Sequence, residues 1–195
     1  MSNIDKKTIK IVLDAMGGDF APDNEVAGAV MFFENANRDF DAEIIFVGDE
    51  AKIKNSLSRF SGSPIKYSIV HASEIVTMHD DPTAILKTKK DSSLYVGIDL
   101  VRQGKADVFL SAGNTGAVLS VSTVLLGRIK GVSRPTIGTF LPSNKPYPTL
   151  LVDAGANVDS RPAYLYEFAV MGSIYASQIL GLDRPKIGLL SIGEE

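Results

Sequence analysis

An α/β fold with a mostly parallel sheet is predicted by three features of this 195-residue chain. Apolar runs rich in Ile, Val and Leu alternate with helix-length amphipathic stretches, the pattern that βα units produce. Several of these runs end in small and glycine residues, as strand-to-helix turns do. With 45% hydrophobic and 22% charged residues, the chain can bury a core and is not disordered.

The strands are expected, in order, at "IKIVL" (9–13), "EIIFVG" (43–48), "IKYSIV" (65–70), "DVFLS" (107–111), "TIGTFL" (136–141), "TLLV" (149–152) and "KIGLLSI" (186–192). A helix should fill much of 82–104, and another 115–130, where "TGAVLSVSTVLLGRIK" ends in basic residues and Gly131. From 163 to 180, Tyr164, Phe168, Met171, Tyr175 and Ile179 recur at spacings of four and three, with Pro162 suited to the first turn; an aromatic stripe of this kind reads as core. "FLPSNKPYP" (140–148) is a loop. No low-complexity linker or periodic repeat marks a domain boundary, so residues 1–195 read as part of one α/β domain. One local echo exists: "IVLDAMGG" (11–18) and "LLVDAGAN" (150–157) each place an aspartate after an apolar strand, then alanine and glycine.

Composition removes several classes of chemistry. There is no cysteine, hence no disulfide, thiolate catalysis or cysteine-bound metal. The two histidines, His71 and His79, fit no zinc-site spacing, and no metal is expected. A net charge of −3 gives no general attraction to nucleic acid, although "KTKK" (87–90), Arg128, Lys130 and Arg134 could meet an acidic partner or simply be solvated. No window reaches the roughly 18 uninterrupted apolar residues of a spanning helix, and "MSNIDKKTIK" is not a signal-peptide core, so a cytoplasmic protein is predicted.

Ligands of open α/β sheets bind beyond the carboxyl ends of the strands. Four unusual turns belong there: "DAMGGDFAP" (14–22), "SAGNTGA" (111–117), "DAGANVD" (153–159) and "SIGEE" (191–195). Gly17 and Gly18 permit close backbone approach, and Pro22 can open the next helix. Asp14 and Asp19 flank that turn; bare carboxylates repel phosphate, so they cap N–H groups, orient a donor or hold a second ligand. Gly113, Asn114, Thr115 and Gly116 frame a helix start, with Ser111, Asn114 and Thr115 as neutral donors for an anion. The alternative is an ordinary turn in which Asn114 caps the helix. The loop lacks the lysine of a Walker loop and the spacing of a dinucleotide fingerprint. Ser111 has no histidine nearby and no GxSxG elbow, which favours ligand binding over a nucleophile.

Taken together, "VLDAMGGDFAP" (12–22), "SAGNTGAVL" (111–119), "GRIKGVSRP" (127–135), "LLVDAGANVD" (150–159), "MGSIYA" (171–176) and "KIGLLSIGEE" (186–195) resemble the bacterial phosphate acyltransferases. The resemblance runs from residue 9 to the last residue and includes "HASEIVTMHDDPTAILKTKKDSS" (71–93). It implies a three-layer sandwich similar to the isopropylmalate dehydrogenase-like fold. It also implies the reaction: inorganic phosphate attacks the thioester of a long-chain acyl group on acyl carrier protein, giving acyl phosphate for phospholipid synthesis, without a cofactor. Asn114, Lys90 and Asp14 are then the expected catalytic residues. Gly17, Gly18, Asp19, Lys89, Ser92, Ser111, Gly113, Thr115, Gly116, Asp153 and Asn157 are the expected substrate contacts. Lys89, Lys90 and Ser92 would meet phosphate or the acidic carrier, while "SAGNTG" would hold inorganic phosphate or the phosphate of the carrier's pantetheine arm.

A cytoplasmic homodimer is implied too, with peripheral association at the membrane beside a downstream acyltransferase, although no basic amphipathic helix carries that contact here. Ser191 departs from the family, which has asparagine in this strand. The resemblance covers only the N-terminal part of the family, which predicts an unpaired sheet edge and exposed apolar surface. Two alternatives remain: a non-catalytic fragment that binds acyl carrier protein, and a dehydrogenase of the isocitrate or isopropylmalate type. The latter needs a nicotinamide site and metal-binding aspartates that the sequence does not display.

Overall fold

The computed structural model describes residues 8–35, 40–191 and 193. They belong to two compact units, one within residues 1–127 and one within 128–195.

The first unit holds β1 (Ile9–Asp14), α1 (Asp23–Glu34), β2 (Ala42–Gly48), α2 (Glu50–Leu57), β3 (Tyr67–His71), α3 (Ile85–Thr88), α4 (Ser93–Arg102), β4 (Val108–Leu110) and α5 (Thr115–Leu125). The strands form one parallel sheet in the order β3-β2-β1-β4, with Leu13 opposite Phe46 on one side and Leu110 on the other. Both faces are covered, which explains why β1 and β2 read as unbroken apolar runs rather than alternating ones. Leu13, Ile44 and Phe46 pack with Val26, Ala29 and Phe33 of α1 and Ile53 and Leu57 of α2. The alternate residues Val12, Ile45 and Val47 face the other way, against Val96, Leu100 and Val101 of α4. The result is the expected three-layer α/β/α sandwich. A third cluster joins Ile85 of α3, Leu94 and Ile98 of α4, and Ala117 and Val121 of α5.

The starts of α2, α4 and α5 are fixed by side-chain caps. Asp49 accepts from the Ala51 and Lys52 N–H groups, Ser92 from Tyr95, and Asn114 from Ala117. The predicted helix over 82–104 is two helices, because Ser92 turns extended and caps α4 after α3 has ended at Thr88. The predicted helix over 115–130 stops at Leu125. Gly127, at φ +80°, ends it four residues before Gly131, so Arg128 and Lys130 lie beyond the helix.

In the second unit, β5 (Gly138–Leu141) and β6 (Thr149–Val152) form an antiparallel hairpin, Gly138 opposite Val152 and Leu141 opposite Thr149. The expected loop therefore shortens to 142–148. Helix α6 (Pro162–Leu180) has Pro162 in its first turn and Gly181 at φ +66° as a left-handed cap. It lies close enough to β6 that a Cβ on Gly172 would be 3.3 Å from Val152 Cγ2. Of the predicted aromatic stripe, Phe168 is buried, whereas Tyr175 and Ile179 are 48% and 60% exposed. The strand expected at 186–192 is absent over its described residues: 186–191 pair with no other strand, and Leu189 and Leu190 are exposed. A strand-prone run becomes a strand only where a neighbour supplies the ladder.

Candidate functional site

In the order β3-β2-β1-β4 the chain leaves β1 toward β2 on one side and later returns to β4 on the other, so the crevice beyond the ends of β1 and β4 is the sheet's switch point. The "DAMGG" and "SAGNTG" turns meet there. Asp14, the last residue of β1, is 1% exposed. Its Oδ1 accepts the Met16 N–H at 3.1 Å, and its Oδ2 accepts the Ser111 hydroxyl at 2.8 Å. Ser111 Oγ in turn accepts the Gly113 N–H at 3.0 Å. One carboxylate thus fixes both turns, across 97 residues of sequence.

The glycines allow this approach. A Cβ on Gly113 would lie 2.9 Å from the Gly17 carbonyl oxygen and 3.1 Å from Gly17 Cα; one on Gly17 would lie 2.5 Å from Asp14 Oδ2 and 2.8 Å from Ser111 Oγ. The approaches of 2.5, 2.8 and 2.9 Å are shorter than a carbon atom tolerates beside these groups, and that of 3.1 Å is tight.

Asn114 is buried, and both ends of its amide are engaged. The oxygen caps α5 at the Ala117 N–H, 3.0 Å away, while the nitrogen donates to the carbonyls of Thr77 (3.1 Å), Asp80 (3.3 Å) and Met78 (3.5 Å). The loop at 77–80 is thereby held beside the start of α5, where Gly116 leaves room for Pro82. That loop is braced from its other side by Lys89, whose ammonium donates to Ile75 O and Asp80 Oδ2, both at 2.7 Å. The Lys89 ammonium, the Thr77 N–H and the Thr77 hydroxyl lower the Asp80 pKa to about 2. The Thr115 and Gly116 N–H groups, in the first turn of α5, are used by no hydrogen bond described. At the positive end of an 11-residue helix they are suited to an anion.

The expected site residues therefore separate. Asp14, Gly17, Ser111, Gly113, Asn114, Thr115 and Gly116 converge on the switch point. Lys89 is spent on Asp80 and the Ile75 carbonyl, and Ser92 is fully buried as the α4 cap, donating to Lys89 O at 2.7 Å. Asp19 and Lys90 are exposed. Asp153 and Asn157 belong to the second unit, where they form a knot of their own. Asp153 accepts from Ile137 N (3.0 Å), Ala156 N (3.1 Å), Asn157 N (2.8 Å) and Asn157 Nδ2 (2.9 Å), while Asn157 Nδ2 also donates to Pro135 O. Burial alone would raise the Asp153 pKa, but these donors outweigh it and hold the carboxyl below its usual range.

Sequence reasoning missed Glu25 and Asp80. Glu25 lies against Gly18 of the double-glycine turn, and only its place in the first turn of α1 pointed to it. Asp80 carried no signal beyond "DD" before Pro82. Among the described residues no three His, Asp or Glu side chains cluster as metal ligands, and no helix is long and apolar enough to cross a membrane.

Comparison with known proteins agrees with this architecture. A phosphotransacetylase from Streptococcus pyogenes shares the fold, with a TM-score of 0.65 and 21% identity over 90% of this chain and 55% of its own. The phosphate acyltransferase of Desulforamulus reducens is 49% identical over 187 residues, 96% of this chain and 54% of its own length. That of Halothermothrix orenii is 46% identical over 187 residues, 96% of this chain and 55% of its own. The chain spans about half the length of the curated relatives it matches. The model of one family, described as fatty acid synthesis protein, matches residues 9–195, and the chain belongs to that family.

Proposed function

We propose that this chain supplies the phosphate-binding half of an acyltransferase that moves a long-chain fatty acyl group from acyl carrier protein to inorganic phosphate. The observation that carries the reading is the start of α5: two N–H groups outside the cap, at the sheet's switch point, framed by Gly113 and Gly116 and free of any dinucleotide fingerprint. The relatives named phosphate acyltransferase support the same chemistry and favour it over a dehydrogenase.

In this reading the Thr115 and Gly116 N–H groups and the Thr115 hydroxyl hold phosphate. A phosphate oxygen forms a bond to the acyl carbonyl carbon, the carbon–sulfur bond breaks, and the carrier's sulfur leaves as a thiol with the proton that phosphate gives up. Positioning supplies much of the rate, because the two reactants are held as one. Asp14 orients the Ser111 hydroxyl and, through it, the Gly113 N–H. Asn114 positions the 77–80 loop rather than touching phosphate, since its amide is already engaged. Lys90, exposed after α3, attracts phosphate or the acidic carrier, and Asp19 lines the rim. Asp153 and Asn157 are further proposed substrate contacts. Homodimerisation, a cytoplasmic location and contact with a membrane-bound acyltransferase belong to the same proposal.

The test is phosphate-dependent loss of thioester from long-chain acyl carrier protein, measured for this chain and for a version extended to the relatives' length. Turnover in the extended version supports the transferase. Carrier binding without turnover in both favours a binding module, and absence of both overturns the reading.

A further inference from the structure

Glu25 stands where an apolar cleft of about 470 Å³ meets the double-glycine turn; Ile11, Leu13, Phe32, Leu110 and Ser111 share its lining. The Glu25 carboxylate lies against Gly18, where a Cβ would overlap its Oε1. The other oxygen, Oε2, is buried with no hydrogen-bond partner among the described residues. The charges that act on Glu25 are both anionic: Asp14 from β1 and Asp23 from its own helix, the latter paired with Arg59 at 2.7 Å. A carboxylate beside two others, with one oxygen unpartnered in an apolar cleft, is poorly suited to hold its charge.

We propose that Glu25 is a positioning residue that latches the Gly17–Gly18 turn to α1, and that it favours an anion at the switch point when it carries a proton. The inference rests on the phosphate reading above. The Gly17 carbonyl lies against Gly113, and Ala112 flanks Gly18, so the latch bears directly on the turn that precedes α5. Deprotonation adds a negative charge next to that turn and disfavours phosphate; protonation removes it. Burial, the first cause, and the two neighbouring aspartates raise the Glu25 pKa above its usual 4.5.

The experiment follows the Gly18 amide and the Glu25 side-chain carboxyl by NMR through a pH titration of this chain, with inorganic phosphate as the ligand, beside the conservative variant Glu25→Gln. The Gly18 amide is expected to shift with the Glu25 carboxyl, at a midpoint above 4.5, and the variant to lose that step. The ratio of the phosphate Kd of the parent chain to that of the variant is expected to rise about threefold as Glu25 ionises. A Gly18 amide with no step shared with Glu25, or a ratio that is flat with pH, overturns the proposal. If neither protein binds phosphate while the shared Gly18 step is intact, the latch stands and the phosphate reading of α5 falls.

Discussion

The turns after β1 and β6 are written almost alike, aspartate-alanine and then glycine, yet their aspartates do different work. Asp153 closes its own turn. Four hydrogen bonds reach it from within 16 residues of chain, and three of them come from residues 156 and 157. Asp14 takes one local N–H and reserves its other oxygen for Ser111, 97 residues away in the turn after the neighbouring strand. The sequence pattern marks a strand end that needs an acceptor; the topology decides what the acceptor ties together. In a hairpin it ties a loop to itself, while at the switch point of a parallel sheet it joins the two turns that flank a ligand crevice.

Removing the two carboxylates separates these roles. Asp14→Ala strands the buried Met16 N–H and Ser111 hydroxyl, and is expected to destabilise the fold by roughly 3 kcal/mol in urea unfolding, with loss of phosphate binding. Asp153→Ala, in a partly exposed knot whose N–H groups can turn to water, is expected to cost about 1 kcal/mol. It also alters the response to acid. Because the folded Asp153 pKa is below 3.8, its carboxylate stabilises the protein above that value and the contribution is lost as pH falls through the folded pKa. Equal losses in the two variants would break the comparison.

The contact between the two turns is tested by Gly113→Ala. Its Cβ must displace the Gly17 backbone rather than a flexible side chain. A destabilisation of about 2 kcal/mol is expected, with phosphate affinity down at least about tenfold because the turn before α5 moves. Gly155→Ala, by contrast, has open space around it and only a positive φ of +96° to strain, so about 1 kcal/mol is expected there. Calorimetry of the two variants with and without phosphate separates a shift confined to stability from one that reaches the ligand.

Much of this fold was legible because the physics is local. The sheet strands are buried on both faces, so they appear as apolar runs, and Pro162 and Gly181 bracket α6. The failures are cases where a partner decides. Residues 186–191 have strand composition but no neighbouring strand. The helix at 115–125 ends at the first glycine that can turn left-handed, and the basic residues beyond it carried a misleading signal. At the site, glycine and aspartate positions were readable from the turn pattern. The capping of α5 by Asn114 was readable as the alternative, but its hold on the 77–80 loop and the roles of Lys89 and Ser92 were not, because these depend on partners that only the folded chain brings near.

Asn114 sharpens the distinction between a residue that holds a ligand and one that holds a loop. Asn114→Ala removes the α5 cap, worth about 1 kcal/mol, and releases three carbonyls of the 77–80 loop. Asn114→Asp keeps the capping oxygen but cannot donate to those carbonyls. If Asn114 acts through the loop, both variants weaken phosphate binding while only the alanine variant exposes the Ala117 amide to hydrogen exchange.

The smallest effect comes from the brace on the far side of that loop. Asp80 is paired with Lys89 and its pKa is held at about 2, well below the usual 3.8. A depressed carboxylate pKa stabilises the folded state above 3.8, and that contribution disappears as pH falls toward about 2. Asp80→Asn is therefore expected to be less stable than the parent chain at about pH 5, by a margin that closes on acidification. Urea midpoints for the two proteins across that range give the test. Convergence near the folded pKa identifies the Asp80 carboxylate as the brace, whereas a constant difference assigns the effect to the Thr77 hydrogen bonds alone.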